Sequence, residues 1–489
     1  MSRFLSSLPS SSRKPRRTWV KVLAALVGLV VVVTLLGWYK LLREVPQEFS
    51  SDEDYYKYGS IGTENEQGIP YWIWLVLPRV FPEHLPGPGG YASLGAIWEG
   101  GQETPVGFSK KTIGFPRVGI NCAVCHTGSY RKRHDGPRTI VPTAPAQKFD
   151  PQSYQRFLFA CASDQRFTAD ILMAEIGYNV QLSWLDKILY RRLIIPATQK
   201  QLLKMKEQYS WMDTRPRWGC GRIDPFNPVK VNLLKLDPGD TIGNSDMQPL
   251  WNMAKHEHFA LHWDGLNDSL TEVILSGAIG DGATPKSLPV QRLKQLEDWI
   301  KTVQPPRYPF LDSLDQDLAA KGQGIFEAKC AECHAFGGKR TGSVIPQSEV
   351  GTDSHRLKMW TAEAADTYNN YANDYPWDFN RYRKTDGYAA VALDGLWMRA
   401  PYLHNGSVPT LEDLLKPASE RPTKFYRGYD VYSRDQMGFI HQGTEAEQEG
   451  FLYDTSVIGN NNEGHSGEKY GTDLSADEKK ALIEFLKMQ

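Results

Sequence analysis

Cys122-Ala-Val-Cys125-His126 and Cys330-Ala-Glu-Cys333-His334 repeat one spacing, C-x-x-C-H, and that spacing decides the architecture. On a helical turn, positions i, i+3 and i+4 lie on one face. Two thiols placed so can add to the two vinyl groups of one porphyrin, while the adjacent imidazole reaches its iron. The pattern is the attachment motif of a c-type haem. With six Cys and eleven His in 489 residues, composition alone gives about 0.002 copies. A thioredoxin-like pair needs a βαβ context, which the sequence lacks. A zinc site needs a fourth ligand at ordered spacing, and a disulfide does not readily close within so short a loop. The expectation is two covalently attached haems. Cys122, Cys125, Cys330 and Cys333 would hold the porphyrins, and His126 and His334 the irons.

Toward the N-terminus, Arg13, Lys14, Arg16 and Arg17 precede an apolar run from Val22 to Tyr39, with Trp19 and Trp38 at its ends. About 20 such residues make a helix of roughly 30 Å, enough to cross a bilayer. The basic flank stays in the cytoplasm and the aromatics mark the interfaces. No small-x-small cleavage site follows, so an uncleaved anchor is expected, with a long cleavable signal peptide as the competing reading. Either way the chain from about residue 45 lies outside the cytoplasm. The expected location is the bacterial inner membrane, single-pass, with the haem domains in the periplasm. Residues 1–43 carry eight Lys/Arg and no Asp/Glu; the remainder holds 48 basic against 57 acidic residues, a net charge of −9. That balance excludes a chain-wide nucleic-acid footprint.

The chain is too long for one ordinary core. The predicted fold is mainly α with extensive loops: two cytochrome c-like haem domains behind one N-terminal transmembrane helix. Residues 1–45 would be the basic tail and anchor, and 46–70 a linker. Residues 71–307 would form the domain of haem 1, and 308–489 that of haem 2. Pro and Gly between Tyr71 and Gly119 favour ordered loops over long helices, and residues 154–213 read as helical. A stripe of Leu293, Leu296, Trp299, Ile300 and Val303 stops at Pro305-Pro306. Another helix, about Gln316 to Ala328, leads into the second Cys pair. A last one begins at Ser475 with Glu478 at capping-box spacing.

Cys161 and Cys220 remain, either as a disulfide in an oxidising compartment or as two separate thiols. The second axial position of each iron separates a carrier from an enzyme. Two histidines have suggestive surroundings. His404 sits in a Pro/Gly-framed loop, Ala400-Pro-Tyr-Leu-His-Asn-Gly-Ser407. His262 sits beside Trp263 and Asp264, a trio that suits a distal pocket and equally suits a hydrogen-bonded corner.

With these motifs the chain, over roughly residues 70–489, resembles the dihaem cytochromes c similar to bacterial rubber oxygenases, distant relatives of the bacterial dihaem cytochrome c peroxidases. The likeness rests on Gly119–His126, Leu261–Gly265, Cys330–His334, Ala400–Thr410 and Gly459–His465. It implies that the haem on His334 is bis-histidine, with His404 as its second ligand. It also implies that the haem on His126 binds a small ligand such as dioxygen or peroxide. The chain is shorter than the polymer-cleaving enzymes and carries an anchor, which speaks against cleavage of insoluble rubber. Three functions follow as expectations. The first is an oxidoreductase with His262, Trp263 and Asp264 as the distal pocket of haem 1. The second is an electron carrier with both irons six-coordinate, serving an unidentified redox partner protein. The third, a haem-based sensor, lacks a cytoplasmic output domain.

Overall fold

A computed structural model describes residues 15–489. Arg13 and Lys14, read as part of the basic flank, lie outside the described residues. The chain from Pro15 is mainly helical, with short antiparallel strand pairs and long ordered loops. Its first helix is Pro15–Leu41. Trp19–Leu41 is long and apolar enough to cross a membrane, and none of it is buried against the protein.

Residues 46–70 are not the free linker that their polarity suggests. Ser51 caps a helix, Asp52–Tyr58, by accepting from the Asp54 amide at 3.1 Å. Tyr55, Tyr56, Tyr58 and Ile61 then pack with Leu275, Leu288 and Leu293 in one core. Four large side chains on so short a stretch bury enough apolar surface to order it, at roughly 1.5–3 kcal/mol each. The loop-rich reading of 71–119 also needs correction. Tyr71–Val80 is a helix despite Pro78, and it buries Ile73, Trp74, Val76 and Leu77. Trp74 stacks on Tyr91 at 4.3 Å. Phe108–Ile113 and Phe115–Ile120 form a hairpin, flanked by Glu44–Val45 and Ile69–Pro70 in a four-stranded sheet.

The later helices fall where their patterns predict. Val290–Thr302 ends before the proline pair, Gln316–Lys329 runs into Cys330, and Ala476–Leu486 carries the full capping box. The last two pack face to face, with Phe326 and Phe485 rings 5.2 Å apart. Gly322 lies where a Cβ would strike the Ala481 carbonyl, which explains a glycine inside a helix. The boundary expected at 307 marks a helix end but does not divide the packing. One core joins Tyr55 to Tyr382 and another joins Ala144 to Leu486. Cys161 and Cys220 are both free thiols, so the disulfide alternative is not realised. Cys161 is buried in a further core with Trp74 and Leu77, whereas Cys220 sits against Gly428.

Candidate haem centres

The first motif leaves the hairpin through Asn121. The Asn121 side chain accepts from the Ala123 amide at 3.0 Å and donates to the carbonyls of Lys57 and Gly59. This fixes a tight helical turn in which the Cys125 and His126 amides both donate to the Cys122 carbonyl. Cys122, Cys125 and His126 therefore share a face, and all three line a cavity of about 420 Å³. His126 Nδ1 lies 2.6 Å from the Gln248 carbonyl. A carbonyl only accepts, so Nδ1 carries the proton and Nε2 keeps its lone pair for a metal. Burial lowers the pKa of His126 and keeps it neutral.

His262 and Trp263 line the same cavity. His262 has φ +63°, and its Nε2 is buried without a hydrogen-bond partner among the described residues. Burial, followed by opposing contributions from Asp264 (upward) and from Arg356 and His126 (downward), brings its pKa down to about 4. Trp263 Nε1 donates to the Asp246 carbonyl at 2.7 Å. Asp264 does not join them on the cavity wall. Its carboxylate turns away to Arg356 at 3.1 Å, and both residues are buried. Sequence reasoning missed Asp281, which also lines the cavity and whose carboxyl burial pushes up to about 7. A lone Asp after a helix gives no signal of that kind.

The second motif repeats the turn. The Cys333 and His334 amides donate to the Cys330 carbonyl at 3.2 and 3.0 Å, and His334 Nδ1 lies 2.7 Å from the Val391 carbonyl. Val391 and its neighbours Ala390 and Ala392 also line the cavity of His126. The two centres thus share a wall.

The structure sets His465 opposite His334, with ring centres 6.2 Å apart. Two imidazoles each bound at about 2.0 Å to one metal ion have ring centres roughly 6 Å apart. His465 has φ +45°, and burial, aided by His334 and Arg421, lowers its pKa to about 3. His404 is not brought to His334. Its ring stacks on Tyr388 at 4.1 Å, with its Nε2 3.1 Å from the Tyr388 hydroxyl. Burial and the nearby Arg356, Arg222 and His355 push its pKa well down. The loop around His404 instead braces the one that carries His465: Asn405 Nδ2 donates to the carbonyls of Gly459 and Asn461 at 3.2 and 2.9 Å. His465 follows Gly464, which has φ +76°. The glycine framing that singled out His404 marks His465 equally.

A haem is a flat apolar plate with two carboxylates, and the cavity suits it. About 300–1,000 Å³ is usual for a ligand site of this class. Leu158, Phe226 and Leu296 supply apolar wall, and the cationic Arg356 and Arg399 line it too. Each guanidinium keeps a buried Nε with no partner among the described residues, a donor that an anionic group would satisfy.

A family model described as RoxA-like, cytochrome c-like matches residues 387–427, the segment containing Tyr388, Val391 and His404. The chain carries a RoxA-like cytochrome c segment. The match supports a haem c cytochrome. Two proteins of Sinorhizobium fredii (strain NBRC 101917 / NGR234) are also similar. The uncharacterized protein y4iJ is 25% identical over 482 residues, covering 76% of each chain. The uncharacterized protein y4iM is 27% identical over 298 residues, covering 52% of this chain and 66% of its own.

Proposed function

We propose that the protein is a membrane-anchored dihaem c-type cytochrome with two unlike irons. In this reading the C-terminal centre is held by His334 and His465 and passes electrons. The N-terminal centre, on His126, meets a small ligand such as peroxide or dioxygen. The contrast between His334, which has the His465 ring 6.2 Å away, and His126, which has no such imidazole pair among the described residues, carries the reading. The haems supply the redox-active iron. The chain's own residues orient the imidazoles through the Gln248 and Val391 carbonyls and present His262 with a free Nε2. A neutral imidazole at that place accepts a proton from an incoming ligand. The anchor would be Trp19–Leu41, with the haem centres in the periplasm.

Three measurements test this. Acid–acetone extraction should leave the colour on the protein, and mass spectrometry after expression with a cytochrome c maturation system should find two haem adducts. Fewer adducts would contradict the stoichiometry. Electron paramagnetic resonance of the oxidised protein should show one low-spin and one ligand-accessible iron, and cyanide should perturb only the second. His262→Ala should change cyanide affinity by about tenfold or more, as expected when a charge-assisted or hydrogen-bonding partner worth about 1.4 kcal/mol is lost, while the low-spin signal stays.

A second reading, the pure electron carrier, draws on the same free Nε2, which can itself take the sixth position on the His126 iron. Two low-spin irons in both redox states, unmoved by cyanide or carbon monoxide, would establish it in place of the first.

A further inference from the structure

Beyond residue 45, the most exposed large apolar side chains among the described residues are Tyr178, at 84%, and Trp184, at 74%. Neither is isolated. Tyr178 ends the helix Ala169–Gly177, and Trp184 opens the helix Trp184–Leu189 after its cap, Ser183. Ile188 is one turn after Trp184 on the same face and is half exposed. Large apolar side chains this exposed and this close together in the chain are unfavourable in water and mark an interaction site.

The position of this patch is fixed relative to the N-terminal helix. Lys40, in the last turn of Pro15–Leu41, pairs with Asp186 at 2.8 Å. Asp186 is two residues from both Trp184 and Ile188, on the other side of that short helix, so the pair holds the helix itself against the exit of the anchor. The same helix end is pinned a second way. The Gly114 amide donates to the Arg43 carbonyl at 2.8 Å, and Glu44 and Val45 pair with Ile113 and Thr112. If Trp19–Leu41 crosses a bilayer, residues 38–43 mark its outer headgroup layer, where Trp38 and Tyr39 stand exposed as interfacial aromatics do. The helix Trp184–Leu189 is only about 9 Å long, so its whole length lies close to that layer. Its flank carries Lys187, Arg191 and Arg192, all exposed, which suits phosphate headgroups.

We infer that Tyr178, Trp184 and Ile188 form a second membrane contact, seated in the headgroup layer of the bilayer that the N-terminal helix crosses. This rests on the anchor reading above. One crossing helix alone leaves a domain free to swing. A second contact beside the exit point fixes its tilt, and so the direction in which the haem centres face along the membrane. Continuity with the helix exit and the cationic flank select lipid over a protein partner as the occupant.

The experiment uses the full chain in vesicles of phosphatidylcholine and phosphatidylglycerol. Photoreactive benzoylphenylalanine is placed at position 178, 184 or 188, or at the exposed control positions 452 and 458. Retained haem absorbance reports folding. Lipid adducts at the three patch positions should exceed those at the controls by at least about tenfold, the contrast expected between an interfacial and a solvated side chain. Equal yields would overturn the inference, as would adducts to protein in place of lipid when the experiment is repeated in native membranes. The intact mass of the same sample separately reports whether residues 1–43 are still attached. Their loss would refute the anchor alone, since a released domain with this surface still yields lipid adducts.

Discussion

In the dihaem reading proposed above, replacing His465 with alanine should convert one iron from low to high spin and leave both haems on the chain. The ring separation of 6.2 Å from His334 leaves room for one metal ion between the imidazoles. Thioether attachment depends on Cys330 and Cys333, not on the sixth ligand. The expected loss is the whole low-spin signal of that centre, read by electron paramagnetic resonance, with external imidazole restoring it. His404→Ala should leave that signal in place, because His404 is stacked on Tyr388. Its effect should be on stability, through the loop that Asn405 ties to Gly459 and Asn461. Loss of the low-spin signal in His404→Ala but not in His465→Ala would return the ligand to His404.

The legible part of the chain was local. A five-residue motif contains its own geometry, so the Cys and His positions, the helical stripe at 293–303 and the cap at Ser475 could be read without knowing what they touch. What could not be read depends on distant partners. His404 and His465 are both glycine-framed histidines in loops, and nothing in either segment says which one meets a residue more than a hundred positions away. The loop framing found a real feature of the fold, the brace, and attached the wrong expectation to it. The polar, Gly-containing stretch 46–70 reads as a linker, whereas the core that buries Tyr56 and Ile61 is assembled largely from residues beyond 225. Asp264 beside His262 seemed to offer a carboxylate to the pocket. The turn at His262 brings His262 and Trp263 to the cavity wall, and Asp264 is taken up by the buried Arg356.

The shared wall gives the two centres a common fate. Val391 holds His334 and lines the cavity of His126, and the Ala389 amide donates to the Trp263 carbonyl at 2.8 Å. The strand Gly387–Ala389 and its continuation therefore run from Trp263 to the imidazole of His334. One short backbone segment thus contacts both centres.

The same interlock explains the second large effect, expected for Asp430→Ala. Asp430 is fully buried. Its carboxylate takes Arg131 at 2.7 Å, Arg138 at 2.6 Å and the Ser129 hydroxyl at 2.9 Å, with Lys148 at 3.7 Å. Ser129 and Arg131 follow directly on the first haem motif, and the Arg131 amide donates to the Asp430 carbonyl at 2.7 Å. Removing the carboxylate leaves the Ser129 hydroxyl without its acceptor and the part-buried Arg131 and Lys148 with only Glu449 as an anion, which costs about 1–3 kcal/mol. The measurement is denaturant and thermal unfolding of Asp430→Ala and Asp430→Asn with haem content held equal. A pH series identifies the charge as the cause. Burial raises the pKa of Asp430, but Lys148, Arg138 and Arg131 outweigh it and hold the group at about 2. That is below the ordinary value of about 3.9 expected when unfolded. The folded pKa is depressed, so the stabilisation is complete above the unfolded value and fades as pH falls toward the folded one. The gap between wild type and Asp430→Asn should be constant from neutral pH to about pH 5 and then narrow toward pH 3. A gap that stays the same across that range would show that Asp430 acts through shape and hydrogen bonding, not through its charge.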